Sequence, residues 1–266
     1  MRRLQALLKN HRLLTTLFLC LNIITVQVFA EETGKLVIII DDIGYNLPLG
    51  KRASELPGPI TYAVLPHTPV AKKLAFYAAS NHPRKEIIVH MPMEAMQPKA
   101  LGEGGLLYEQ NHSEFMRILG NALDSIPHAK GLSNHMGSRL TALPDRMEWL
   151  MQALDEQGMY FVDSKTTRNS AAKIAAGNSR VPYLARDYFL DHDPSAKAIS
   201  DTFKKAQQAA KKQGMAIVVA HPYKETLNFL EQTLPDIESQ GLQMINVSEA
   251  LQLLDAQNKL ALKKSP

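Results

Sequence analysis

Residues 35–44 read Lys35-Leu36-Val37-Ile38-Ile39-Ile40-Asp41-Asp42-Ile43-Gly44, an apolar, mostly β-branched run that stops at two adjacent carboxylates. A run apolar on both alternating faces suits a strand covered on both sides, as in a parallel sheet sandwiched by helices. Two neighbouring carboxylates at the end of such a strand cost on the order of several kcal/mol unless a cation or a shared proton offsets them. The alternative is that one Asp caps a following turn while the other meets solvent.

The same pattern recurs along the chain. Short runs at 35–40, 60–65, 86–89, 131–133, 159–162, 187–190, 216–220 and 242–247 alternate with helical stretches predicted at 70–80, 114–125, 145–156, 195–213 and 249–262. Most run ends lie 24 to 30 residues apart, the length of one strand plus one returning helix. Nearly every run ends in a group able to bind a metal or move a proton: Asp41-Asp42, His67, His90, His135, Asp163, Asp191-His192-Asp193 and His221. In a parallel β/α barrel all strand C-termini open on one face, so residues scattered in sequence would converge there. The expected fold is therefore α/β, a parallel β/α barrel of seven to eight strands forming one domain over residues 31–266. The interval from Val89 to Asn134 breaks the rhythm; its Gly-rich stretch 99–105 is expected to be a loop over the site or a surface excursion.

Composition narrows the function. A chain of 266 residues with 45% hydrophobic content, 15 Pro and 14 Gly can bury one sizeable core and is neither disordered nor collagen-like. The formal charge of +4 is accounted for by Arg2, Arg3, Lys9 and Arg12, so the remainder is balanced and a nucleic-acid footprint is excluded as the main role. Those cations precede an apolar stretch, 13–29, and Val28-Phe29-Ala30 supplies small residues at −3 and −1. Residues 1–30 are expected to be a secretory signal peptide cleaved near Ala30, or else an uncleaved anchor; the mature protein is expected in the periplasm or secreted, touching membrane only through this segment. Cys20 is the only cysteine, so the mature chain has no disulfide, thiolate metal site or cysteine nucleophile.

The strand-end residues define a chemistry. His90 and His135 with one Asp make a two-histidine, one-carboxylate set that leaves coordination positions open. The second Asp would act as general base on water, and His221 would protonate the leaving group, with Asp163 or Asp191 orienting it. The assembled reaction is metal-assisted hydrolysis of an amide or ester.

The segments Val37-Ile38-Ile39-Ile40-Asp41-Asp42-Ile43-Gly44, His90-Met91-Pro92-Met93-Glu94, Ser133-Asn134-His135-Met136-Gly137-Ser138 and Ala220-His221-Pro222 resemble the divergent polysaccharide deacetylases, distant relatives of NodB-type carbohydrate esterases. The resemblance implies a distorted β/α barrel, a divalent metal that is commonly zinc, and removal of N-acetyl groups from a glycan such as peptidoglycan. It implies Asp41 as base, Asp42 as metal ligand and His221 as acid. The NodB pattern has a second histidine four residues after the first, where this chain has Glu94; His135 is expected to replace it, with Glu94 the competing ligand. Arg139 is the candidate for that pattern's arginine. His67 is a candidate for a sugar hydroxyl or a helix cap, and Tyr45, Tyr108, Tyr183 and Tyr223 for stacking on a sugar ring or for packing. The basic run over 204–212 reads as a solvated helix face. The alternatives to N-deacetylation are a non-catalytic envelope protein that binds glycan or a cell-wall partner on the same barrel, and a metal-dependent esterase.

Overall fold

The computed structural model describes residues 33–264. The expected export segment, residues 1–30, lies outside them. Among the described residues no helix is long and apolar enough to cross a membrane.

Strand β1 (Gly34–Ile43) is the axis of the sheet. One edge pairs along Lys35 to Ile40 with β8 (Met215–Ala220); the other pairs first with β9 (Leu242–Ile245) and then, beyond Ile39, with β2 (Thr61–Val64). From β2 the sheet continues through β3 (Glu86–Met93), β4 (Ala129–Met136), β5 (Tyr160–Asp163) and β6 (Tyr183–Ala185), and beyond β8 it ends at β7 (Tyr188–Phe189); every pairing is parallel. The circuit closes through the chain itself. The stretch from Tyr183 to Leu190 begins beside β5 and bends at Arg186 and Asp187 to finish beside β8. Nine strands thus stand where seven to eight are expected from the sequence: the eight expected runs each answer to one strand, and β6, just ahead of the run at 187–190, is the addition.

Alternation along β1 sorts the core into two layers. Val37 and Ile39 point inward with Ala63, Ile88, Val162 and Val219. Leu36, Ile38 and Ile40 point outward against helix residues such as Leu74, Phe115, Leu150, Phe203 and Leu227. The outer helices are α1 (Leu47–Glu55), α2 (Ala71–Asn81), α3 (His112–Ser125), α4 (Pro144–Glu156), α5 (Ala172–Gly177), α6 (Ala196–Gln213) and α7 (Lys224–Thr233). The C-terminal helix α8 (Val247–Lys264) has a different task, since Val247 and Ala250 belong to the inner layer. It closes the bottom of the barrel. Val247 N–H donates to Thr61 and Ser248 N–H to Glu86, the first residues of β2 and β3. Buried Glu86 also accepts from the Tyr160 hydroxyl at 2.7 Å.

The five expected helices are present with ends shifted by a few residues. Asn111 caps α3, Ser195 caps α6, and Asn246 with Glu249 makes a reciprocal pair at the start of α8. Helices α1, α5 and α7 were not expected. Two are shorter than ten residues, and α1 carries Gly50 where it packs on Leu74 of α2.

Candidate active site

Neighbouring residues of a regular strand point to opposite faces, so Asp41 and Asp42 could not both reach one mouth without a break in β1. The break is a bulge: Ile40 pairs with Tyr62 but Ile43 pairs with Val64, so β1 carries one extra residue. Asp42 takes up the irregularity in the left-handed region at φ 58°. The next turn needs Gly44, at φ 145°, where a Cβ would fall 2.0 Å from the Thr68 hydroxyl. The strand therefore runs through the two carboxylates to Ile43 instead of stopping before them.

The histidines come from the two adjacent strands. His90 on β3 pairs in register with Ser133 on β4, and His135 lies two residues further along the same face. Ser133 Oγ stands 2.7 Å from His90 Nδ1, which leaves Nε2 to face the carboxylates. That Nε2 lies 3.3 Å from Asp42 Oδ1 and 3.5 Å from Asp41 Oδ2, and His135 Nδ1 lies 2.8 Å from Asp42 Oδ1. One ligand atom each from Asp42, His90 and His135 falls within 4.8 Å of the others.

These residues fit a divalent cation. Asp42 Oδ1 and Asp41 Oδ1 are buried without a hydrogen-bond partner, although two imidazole nitrogens crowd the first. Oxygen and nitrogen donors that converge on one point, with buried carboxylate oxygens left over, form a set a cation would complete. Burial would raise the Asp42 carboxyl, but its contacts with His135 and His90 prevail and hold it far below the usual carboxylate range. Asp41 goes the other way: burial pushes its carboxyl up, and the neighbouring histidines offset only part of that.

His221, just past the end of β8, approaches from the opposite side, its Nε2 3.8 Å from Asp42 Oδ2. Asp191 fixes it, with one oxygen 2.9 Å from Nδ1 and the other accepting the His221 N–H at 2.7 Å and the Thr226 hydroxyl at 2.8 Å. Tyr223 stacks on the imidazole at 5.3 Å between centroids, and Phe189 lies at 5.1 Å. Burial would lower the imidazole pKa; the Asp191 bond and the Asp41 charge outweigh it and raise it.

Other expected residues sit outside this group. Both oxygens of Glu94 are engaged, one with Arg139 at 2.6 Å and one with the Tyr108 N–H, so the converging set contains His135 and lacks Glu94. Arg139 accordingly serves Glu94 and Tyr108, its guanidinium 4.4 Å from the Tyr108 ring centroid. Asp163 holds its own turn, accepting from Ser170, Tyr183 and the Lys165 N–H, whereas Asp191 carries the orienting bond to His221. His67, left-handed at φ 59°, borders a cavity beside Asp42 and His135. Residues 100–103 border the same cavity, so the Gly-rich loop does lie over the site.

Three residues had no assigned role in the sequence. Ser133 orients His90, Thr226 completes the grip on Asp191, and Arg186 reaches the site at the bend between β6 and β7. Its guanidinium donates to the Ser164 and Lys165 carbonyls; burial lowers its pKa, and the Asp41 charge is the foremost opposing influence. Ser133 is two residues before His135, the one signal available for any of them.

Known proteins are similar to this chain to different degrees. The Escherichia coli K12 protein YibQ is 35% identical over 209 residues, which cover 77% of this chain and 65% of YibQ. A protein of Haemophilus influenzae Rd is 33% identical over 209 residues, covering 79% of this chain and 74% of its own. The chain thus spans about two thirds to three quarters of these relatives. A crystal structure of a protein from Agrobacterium tumefaciens C58 shares the fold, with a TM-score of 0.78 at 19% identity over 82% of this chain and 89% of that one. The family described as divergent polysaccharide deacetylase matches residues 38–251, which include all the residues of the Asp41, Asp42, His90, His135, Asp191 and His221 group. The chain belongs to the divergent polysaccharide deacetylase family.

Proposed function

We propose that the protein is a metal-dependent hydrolase that removes N-acetyl groups from an envelope polysaccharide, peptidoglycan or a related polymer, in the periplasm after export through residues 1–30. The observation that carries this reading is the convergence of Asp42, His90 and His135, with Asp41 and His221 flanking them. A divalent ion held by those three residues, zinc being the expected one, would polarise the acetamide carbonyl and acidify water.

The remaining steps belong to the chain. Asp41 Oδ1 has no hydrogen-bond partner, and its carboxyl is raised by burial, so it is the oxygen placed to take a proton from the attacking water. Asp42, held anionic, stays a ligand. His221 has Nδ1 occupied by Asp191 and turns Nε2 toward the carboxylates, 3.8 Å from Asp42 Oδ2, which makes Nε2 the donor to the departing amine nitrogen. Acid and base thus approach the same point from β8 and β1.

Acetate release from N-acetylated chitooligosaccharides and peptidoglycan fragments tests the reading. The native protein should release it in a chelator-sensitive way, and Asp41→Asn and His221→Ala should each lower the rate by about 100-fold or more. No metal-dependent release from any of these substrates would contradict it, and release from O-acetyl but not N-acetyl substrates would replace the deacetylase by an esterase.

A further inference from the structure

Past the last paired residues of β4 and β5, two side chains keep the strands level. The ladder ends with Ser133 opposite Val162. Beyond it Asn134 Oδ1 takes the Ser164 N–H at 2.9 Å, and the Thr166 hydroxyl donates to the Met136 carbonyl at 2.8 Å. His135 and Ser164, each two residues past that pair, therefore stand abreast. They also share a face. Val162 points into the barrel and Asp163 away from it, toward Ser170 and Tyr183, so Ser164 turns inward with His135.

Both main-chain groups of Ser164 are engaged, since its carbonyl accepts from Arg186 Nε at 2.8 Å. Its hydroxyl is not: the oxygen is buried without a hydrogen-bond partner. Such a group is costly to bury, so its partner is to be sought among side chains that move when the site fills. One strand over, the same relationship is already satisfied. His90 on β3 stands abreast of Ser133 on β4, and Ser133 Oγ lies 2.7 Å from His90 Nδ1. The two histidines differ accordingly in their distance from Asp42. Two ligands of one tetrahedral zinc ion, each about 2.0–2.1 Å from it, stand about 3.3 Å apart. His90 Nε2, whose ring is held by its serine, is 3.3 Å from Asp42 Oδ1; His135 Nδ1 has closed to 2.8 Å, a hydrogen-bond distance.

We infer that Ser164 is the positioning residue of His135: when a divalent cation parts His135 from Asp42, the ring nitrogen that does not ligate donates its N–H to the Ser164 hydroxyl. Strands β4 and β5 then repeat the pairing that β3 and β4 make through His90 and Ser133. Ser164 is buried, so its oxygen faces protein groups rather than a molecule entering from the mouth. The inference rests on the reading that Asp42, His90 and His135 hold a cation and is independent of the substrate.

Zinc binding to the purified protein, read by competition with a chromogenic chelator, tests this without any substrate. Ser164→Ala should weaken zinc binding by about 10-fold to 100-fold. It should leave the urea midpoint of the metal-free protein unchanged or higher, because the hydroxyl it deletes has no partner there. Native zinc affinity in Ser164→Ala would overturn the inference. So would a lower midpoint of the metal-free variant, which marks a serine that only supports the fold. The His90→Ala, His135→Ala double variant separates this failure from that of the cation site. Zinc lost in the double variant but held with native affinity by Ser164→Ala would remove the role of Ser164 alone. Zinc held as tightly by the double variant as by the native protein would overturn the cation site and the inference with it.

Discussion

His221 Nδ1 lies 2.9 Å from one oxygen of Asp191, while the other oxygen of the same carboxylate takes the His221 main-chain N–H at 2.7 Å. Ring and backbone of one residue are thus fixed by a single side chain. Thr226 donates to that carboxylate as well, so Asp191 has no freedom to turn the imidazole away from Asp42.

Asp191→Asn should therefore act on the chemical step. An amide in place of the carboxylate keeps the space but weakens the hold on the protonated ring, and kcat should fall by about 100-fold with KM and bound metal little changed. Steady-state kinetics together with metal analysis check this; an unchanged kcat would remove Asp191 from the account.

Ser133 performs the matching task for His90. With its hydroxyl gone in Ser133→Ala, His90 is free to rotate or change tautomer, and affinity for the divalent ion should drop by about 10-fold to 100-fold. Competition against a chromogenic chelator gives the number. Unaltered affinity would show that packing alone holds the ring.

At the opposite end of the barrel, Glu86 gathers Thr61, Tyr160 and the Ser248 N–H around one buried oxygen. Glu86→Ala would leave those donors without a partner and loosen the helix that closes the barrel, costing about 3 kcal/mol; Tyr160→Phe removes one bond and should cost about 1 kcal/mol. Urea unfolding measures both, and equal small effects would contradict the shared-acceptor arrangement.

Lys85 gives the fold a pH dependence away from the site. Its ammonium is desolvated where it donates to the Leu56 and Gly58 carbonyls, and burial lowers its pKa to about 7. The unfolded chain, with an ordinary lysine pKa, binds more protons between that value and about 10.4, so this group makes stability rise with pH across the interval. Lys85→Met should flatten the rise, seen as urea midpoints at pH 7, 8 and 9. A slope equal to the native one would place the dependence elsewhere.

The barrel was legible because apolar runs on both faces, spaced by one helix length, leave few other arrangements, and because the ionisable residues cluster at one end of those runs. Pairing Asp42 with His90 and His135 followed from that polarity together with the family resemblance. What the sequence could not display was a backbone irregularity: nothing in Ile40-Asp41-Asp42-Ile43 announces the extra residue that turns both carboxylates inward. Arg139 was the nearer arginine along the chain, yet its Glu94 partner takes it away, and Arg186 arrives from a bend just ahead of the expected run at 187–190, between a short strand the sequence did not announce and the one it did. Glu94 was a plausible ligand by spacing alone; only Tyr108, ahead of α3, and Arg139, just after β4, reveal that both its oxygens are taken.

Metal content of the purified protein tests the central claim most directly. Elemental analysis after dialysis should find about one divalent ion per chain, zinc or a metal that substitutes for it, and almost none in a His90→Ala, His135→Ala double variant that still unfolds cooperatively. Full retention of the ion in a folded double variant would mean that these histidines do not hold it.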